Sequence, residues 1–502
     1  MLPSESPHGA DNWRSGNLAA QAAVNRGIIV SHLLRSALAA LALAATATTG
    51  LAAETKPNIV YIVADDLGYA DVGFHGSNIR TPSIDDLAAG GARLEQFYAQ
   101  PMCTPTRAAL MTGRYPLRYG LQSFVILPEQ TYGIPADETL MPQLLKRAGY
   151  DTAIIGKWHL GHADKALFPD ARGFDYQYGP LIGEIDYNTH KVHGALDWYR
   201  DGKPLHEEGY STTLIGEDAV RYIDSRSADK PFFLYLAFNA PHTPFQAPSA
   251  YLDRYKDIAD PNRRAYAAMI SAMDDQIGDV LAALDKKGLR DNTLVFFQSD
   301  NGGVRDAMFA GEIATNGDLP ASNAPWRDGK GSLYEGGTHV VALANWPGHI
   351  QPEKVDGMMH VVDMLPTILG RAGGSTTGTK PLDGMDVWNT IATNAPSPRN
   401  EIVYNVEMFR GAVREGDMKL IWQTPLPQRL ELYDLAKDPS EKTNLAAERP
   451  ADVASLQKRI QELAGEMAKS QFMQATMKAY LGREHPDPAF PNEPGFFDQV
   501  AD

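Results

Sequence analysis

Four apolar runs constrain the fold of this chain more than any other feature. Residues 58–64, 151–155, 232–238 and 294–297 are rich in β-branched and aromatic side chains and are apolar along both faces. Each run stops abruptly at polar residues: Asp65-Asp66, Gly156-Lys157-Trp158-His159, Asn239-Ala-Pro-His242 and Gln298-Ser-Asp300-Asn301. A strand that is apolar on both faces belongs in the interior of a parallel sheet covered by helices. Helical patterns lie between the runs. Residues 140–148 close at Gly149, and residues 266–284 carry apolar side chains at helical spacing and stop by Gly288. The alternation predicts a layered α/β fold. Ligands of such sheets sit beyond the carboxyl ends of the strands, so the polar groups after all four runs should converge on one site.

After residue 398 the pattern changes. Residues 411–422 read as a hairpin turning at Glu415-Gly416-Asp417, residues 430–435 as another strand, and residues 451–469 as an amphipathic helix with Pro450 near its start. This predicts a main catalytic domain over residues 54–398 and a smaller α+β domain over 399–502, joined near 394–398, with a wrapping tail from Gln471. Residues 1–53 read as a leader. Arg26 and Arg35 precede the small apolar run 36–48, and residues 49–53 end in small side chains, the order of a secretory signal. The run is short for a membrane span of about 20 residues. The expected location is therefore periplasmic or secreted, with no stable membrane span after cleavage.

Charge and cysteine content narrow the chemistry. A net charge of −16 leaves no surplus of cations to neutralise a nucleic-acid backbone. It also disfavours long-range attraction of polyanionic chains, so small substrates are expected rather than polymers. A single Cys excludes an internal disulfide, a zinc finger and a CxxC redox centre. Asp65, Asp66, Asp300 and Asn301 offer only oxygen donors, which suit Ca²⁺ or Mg²⁺ better than Zn²⁺. Adjacent acids and Asp-Asn-Gly also occur in plain turns; two such pairs at strand ends favour a shared cation. Pro105 suits a first helical turn and so puts Cys103 at a helix N-terminus, where unpaired N–H groups stabilise an anion. Arg107 adds a cation one turn on. A buried apolar thiol, or a direct cysteine nucleophile with an activating His, remain open readings at this point.

Cys103-x-Pro105-x-Arg107, followed by Leu110-Met-Thr-Gly-Arg114, resembles the signature of type I sulfatases. Gly156-Lys157-Trp158-His159-Leu160-Gly161 and Arg327-Asp-Gly-Lys330-Gly-Ser-Leu-Tyr-Glu335-Gly-Gly extend the resemblance, which runs over residues 56–445. Asp186-Tyr187-x-x-His190, His360-x-x-Asp363-x-Leu-Pro-Thr367 and Lys380-Pro-Leu-Asp-Gly-x-Asp-Val-Trp388 look like the arylsulfatase B (N-acetylgalactosamine 4-sulfatase) branch. The resemblance implies an alkaline-phosphatase-like large mixed sheet flanked by helices, plus a small C-terminal domain with an antiparallel sheet. It implies that a formylglycine-generating enzyme oxidises Cys103 to formylglycine. One Ca²⁺ would be bound by Asp65, Asp66, Asp300, Asn301 and the modified Cys103, and Arg107, Lys157, His159, His242 and Lys330 would complete the catalytic set. By the same resemblance, one hydroxyl of the aldehyde hydrate attacks sulfur, deprotonated by Asp300 and held by Arg107. His242, with Lys330, serves the leaving oxygen, and His159 deprotonates the second hydroxyl to expel sulfate. Asn301 stands where binuclear zinc phosphatases of the superfamily have His.

The chain departs from the branch in a longer insert at residues 304–324, expected at the pocket rim. Glu184, Asp186, His190 and His193 are candidates for sugar hydroxyls, and His339 stands where many relatives carry Arg. The alternative enzyme is a phosphonate or phosphate monoester hydrolase with the same formylglycine site. The non-enzymatic alternative is a carbohydrate-binding protein with an unmodified Cys103.

Overall fold

In the computed structural model the four apolar runs are four neighbouring strands at the centre of a ten-stranded sheet. The structure describes residues 56–309 and 319–481. The leader at 1–53, the middle of the 304–324 insert and the tail beyond 481 lie outside the described residues.

The strands are β1 (Asn58–Ala64), β2 (Ala92–Leu94), β3 (Asp151–Gly156), β4 (Tyr176–Gly179), β5 (Tyr199–Arg200), β6 (Lys203–Pro204), β7 (Phe232–Ala237), β8 (Thr293–Ser299), β9 (Ala342–Asn345) and β10 (Glu353–Val355). Their spatial order is β10-β2-β9-β8-β1-β7-β3-β4-β5-β6. The centre, β8-β1-β7-β3, is parallel throughout. Every residue of β1, β7 and β8 is buried, which is why these segments carry no polar alternation. The sheet as a whole is mixed, because β9 runs antiparallel to β8 and β5 antiparallel to β4. The register brings the carboxyl ends level: Ala64 lies opposite Ser299, Val63 opposite Ala237, and Ala237 opposite Gly156. The last of these needs glycine. Gly156 has φ +108°, and a Cβ there would lie 1.8 Å from the Ala237 carbonyl oxygen.

The helices that matter here are α1 (Pro82–Ala89), α2 (Cys103–Thr112), α3 (Met141–Arg147), α4 (Ser211–Asp224) and α5 (Pro261–Lys286). Helix α5 begins at Pro261, earlier than its apolar spacing alone suggests, because the Asp260 side chain caps it by accepting from Arg263 N–H. It packs on α4 and on α1. Thr81, the N-cap of α1, makes no side-chain cap hydrogen bond, and the free N–H groups of Ser83 and Ile84 donate instead to the Asp274 carboxylate of α5, at 3.0 and 2.9 Å. Burial pushes the Asp274 carboxyl up to about 6, more than these two amides offset. Its folded value lies above the unfolded one, so its contribution to stability is complete at low pH and is lost as pH rises through about 6. Relative to the parent, Asp274→Asn should therefore gain up to about 3 kcal/mol between about pH 4 and pH 7, at 1.36 kcal/mol per pH unit. Urea unfolding at several pH values checks this; a flat difference would mean that Asp274 is ionised throughout.

Four antiparallel strands in chain order form the C-terminal sheet: β11 (Glu401–Val406), β12 (Arg410–Glu415), β13 (Met418–Gln423) and β14 (Arg429–Asp434). The hairpin turns where expected, with Glu415 opposite Met418. Helix α6 (Pro450–Gly465) packs on β12 and β13. A further helix, α7 (Gln471–Leu481), lies where only a wrapping tail was expected. Tertiary contacts hold its start: Gln471 N–H donates to Gly120 O at 2.9 Å, and the Phe472 ring lies 4.9 Å from that of Phe124.

Candidate active site

The polar residues after the four central strands meet at one edge of the sheet. Asp66 and His159 hold left-handed backbone, with φ +66° and +59°, a conformation that non-glycine residues adopt at a cost and that clusters at functional sites. The Asp66 N–H donates to Asp300 Oδ1 at 3.2 Å, tying the ends of β1 and β8. Cys103 opens α2, with the extended Met102 as N-cap, as Pro105 implies. Its Sγ lies 3.4 Å from Asp65 Oδ1.

A buried charge network surrounds the thiol. Lys157 Nζ donates to Asp65 Oδ2 at 2.6 Å. Lys330 Nζ lies 2.9 Å from Asp66 Oδ2 and 3.1 Å from His242 Nε2. Arg107 grips Asp300 Oδ2 through Nε at 3.0 Å and Nη2 at 2.8 Å, and its Nη1 donates to Lys157 O at 3.1 Å. All of these side chains are buried, and charges persist in such a place only when paired. Burial opposes ionisation of Asp65, yet the cations of Lys157, Arg107 and Lys330 together hold its carboxyl well below the usual range. Asp300 goes the other way: burial and the Asp65 charge push it up to about 6, against Arg107. Burial, then the Asp300 charge, pushes the Cys103 thiol well up. Lys157 and Lys330 are raised by Asp65 and Asp66 respectively, although burial opposes both shifts.

The two histidines take opposite tautomers, as assigned from their hydrogen-bond partners. His159 Nε2 lies 3.0 Å from Ile126 O, which can only accept, so Nε2 carries the proton. Its Nδ1 is a lone pair, buried and without a partner. Burial, then Lys157 and Arg107, keeps this ring neutral. His242 Nδ1 donates to Thr243 O at 2.7 Å, so its Nε2 lone pair faces the Lys330 ammonium.

The same cluster fits a hard cation. Candidate donor atoms of Asp65, Asp66, Cys103 and His242 all lie within 4.8 Å of one another. Asn301 Nδ2 donates to Asp66 Oδ1 at 2.7 Å and to Gly302 O at 2.9 Å, leaving Asn301 Oδ1 buried without a donor. A buried amide oxygen beside three carboxylates is satisfied by a hard divalent ion.

Cys103, Lys157, His159, His242 and Lys330 line a cavity of about 230 Å³, and Glu184 lies on its wall. Asp186 and His190 do not line it. Asp186 Oδ1 accepts from the N–H groups of Asn188 and Thr189 at 3.0 and 2.7 Å, and Oδ2 from Gln246 at 2.7 Å. His190 is fully buried, stacked 4.4 Å from Trp198, with Nε2 3.1 Å from Gly209 O. Both side chains hold their own loop together. His193 belongs to that loop as well, with φ +49°. His339 is spent between Glu335 Oε2, at 3.0 Å, and Glu95 O, at 2.7 Å.

One set of residues is not apparent from the motifs. Lys419 of β13 is fully buried, with Nζ 2.9 Å from Glu335 Oε1 and 2.7 Å from Glu441 Oε1. Glu335 also accepts from Tyr404 at 2.6 Å and Tyr98 at 2.9 Å, and Glu441 Oε2 accepts from Glu335 N–H at 2.7 Å. Arg410 of β12 donates to Gly331 O at 2.8 Å, and Arg327 to Glu441 O at 2.9 Å. The C-terminal sheet thereby anchors the loop that carries Lys330. The available signal was Lys419 itself, two residues before Ile421 and so on the same buried strand face.

A family model described as Sulfatase matches residues 57–374, and one described as N-sulphoglucosamine sulphohydrolase, C-terminal, matches residues 325–469. Arylsulfatase J of Mus musculus is 36% identical over 76% of this chain, which spans 64% of that relative's length. Arylsulfatase A of Homo sapiens is 32% identical over 82% of this chain and 86% of its own. These relatives single out no arylsulfatase B branch. The crystal structure of Ps i-CgsB in complex with k-i-k-neocarrahexaose superposes with a TM-score of 0.76 at 33% identity, covering 87% of this chain and 99% of that one.

Proposed function

The chain belongs to the sulfatase family, and on that premise we propose that it hydrolyses sulfate monoesters of small carbohydrates or phenols at the Cys103 site. The observation that carries this reading is the ring of groups around Cys103. Two ammonium groups, on Lys157 and Lys330, face the space where a sulfate would sit, beside the two imidazoles of His159 and His242, each oriented by a backbone carbonyl. An anionic ester needs those cations, and its cleavage needs both a proton acceptor and a group facing the leaving oxygen.

In this reading Cys103 is converted to formylglycine by a formylglycine-generating enzyme, and its hydrate supplies two hydroxyls on one carbon. Asp65, Asp66, Asp300, Asn301 and the modified residue 103 would hold one Ca²⁺, which would supply positive charge to an anionic ester. Arg107, clamped on Asp300, holds the attacking group in place. Lys157 and Lys330 offset the charge that moves off sulfur. His242 Nε2, already paired with Lys330, serves the leaving oxygen. His159 Nδ1, a lone pair with no other partner, takes the proton whose removal releases sulfate. Asp300, at the end of the strand beside Cys103, is the group placed to accept a proton during attack. The apolar run at residues 36–48 supports export to the periplasm or beyond. Among the described residues no helix is long and apolar enough to cross a membrane.

The test is mass spectrometry of the peptide containing residue 103, together with elemental analysis of the same preparation. The expected result is an aldehyde at residue 103, one calcium per chain, and faster turnover of 4-nitrophenyl sulfate than of the matching phosphonate. A free thiol in fully active protein would end the formylglycine reading. Preference for the phosphonate would move the protein to the other ester class.

A further inference from the structure

The pocket beyond the sulfate-facing groups is lopsided in chemistry. One wall is apolar: Phe124, Val125 and Leu127 from one loop, Ile182, and Met308 and Phe309 from the start of the insert. Phe124, Val125 and Leu127 are only half-buried, and Met308 is 74% exposed. Apolar surface left open to water at the mouth of a small cavity marks a place where an apolar ligand face is buried. The wall is also held in position. The Phe309 ring sits on Gly331, where φ is +83° and a Cβ would lie 2.4 Å from the ring, and the Phe124 ring packs on Phe472.

The charges in the lining are equally one-sided. The cations among the described lining residues are Lys157 and Lys330, each already on an aspartate. The other charged side chain among the described lining residues is Glu184. A second anionic group on the substrate would meet the apolar wall, and the described lining residues offer no further arginine or lysine to receive it. Stripping water from an unpaired charge is strongly unfavourable.

We infer that this pocket selects monosulfated substrates whose leaving group turns an uncharged, apolar ring face to the 124–127 and 308–309 wall, and that it rejects a second anion beside the ester. The inference rests on the sulfatase reading and names the substrate class of that site. Sugars with a carboxylate or second sulfate next to the scissile ester fall outside the class. Phenyl sulfates, and sugar rings with a bare C–H face there, fall within it.

The test uses two nearly isosteric esters, 3-carbamoylphenyl sulfate and 3-carboxyphenyl sulfate, with 4-nitrophenyl sulfate as the activity control. The parent enzyme should favour the carbamoyl ester in kcat/KM by about tenfold or more, chiefly through KM. Leu127→Lys should raise kcat/KM for the carboxylate and narrow the gap. Equal use of the two esters by the parent, or preference for the carboxylate, overturns the inference while the sulfatase reading stands. Release of sulfate from none of the three esters, by protein carrying the aldehyde, overturns the sulfatase reading and the inference with it. The parent comparison needs no variant, so a misfolded variant does not blunt the test.

Discussion

Cys103→Ser should release one phenol per active site from an aryl sulfate and then stop. The substituted hydroxyl opens the same helix, beside Asp65 and the same two lysines. One attack on sulfur therefore remains possible, though slower, because an alcohol is harder to ionise than an aldehyde hydrate. Release is what fails. His159 Nδ1 has no second hydroxyl on the same carbon to deprotonate, so sulfate stays on the serine. Steady-state turnover should fall on the order of 10⁴-fold or more, the scale on which loss of a nucleophile acts. The measurement follows phenol release under excess ester and then weighs the protein for one retained sulfate. Sustained turnover near the parent rate would mean direct attack by water, and the route through residue 103 would be wrong.

Lys419→Met should cost stability on a similar scale of importance, far from the thiol. The substitution leaves Glu335 and Glu441 facing each other in a buried space. Breaking a buried ionic cluster in this way costs about 3–5 kcal/mol. Replacing the whole cluster is far milder, so the triple variant Lys419→Met, Glu335→Gln, Glu441→Gln should recover most of the loss. Burial, then the charge of Glu335, pushes the Glu441 carboxyl up to about 7 in the parent despite Lys419. Without Lys419 that proton binds more tightly still. The gap between the single variant and the parent should therefore shrink as pH falls from alkaline values to about 7, and Glu441 should change it little below that. Urea unfolding measures it. A single variant as stable as the parent would mean that Lys419 does not hold the C-terminal sheet to the loop of Lys330.

Much of the fold and most of the buried polar cluster around Cys103 were legible in the chain itself. Strands β1, β3, β7 and β8 announced themselves because burial on both faces leaves no polar alternation, and a parallel sheet then forces their carboxyl ends to one edge. Asp65, Asp66, Lys157, His159, His242, Asp300 and Asn301 all follow from that geometry. Cys103 follows from Pro105, whose fixed φ suits a helix start. These are local signals, carried by residues a few positions apart. The rest depended on pairs distant in sequence. Lys330 meets Asp66 across 264 residues, and Lys419 meets Glu335 across 84. The short strands β2, β9 and β10 have too few residues to show a period. The motif at Asp186 and His190 was plain, but only the folded chain decides that the Asp186 oxygens go to backbone amides and Gln246 and that His190 turns its Nε2 to the Gly209 carbonyl. The tautomer of His159 was likewise set by a carbonyl from another loop, and the Nε2 of His242 by the distant Lys330. Periodicity records which side chains are buried and in what local conformation; it carries no record of which distant partner meets each of them, and that is set when the sheets and loops close on one another.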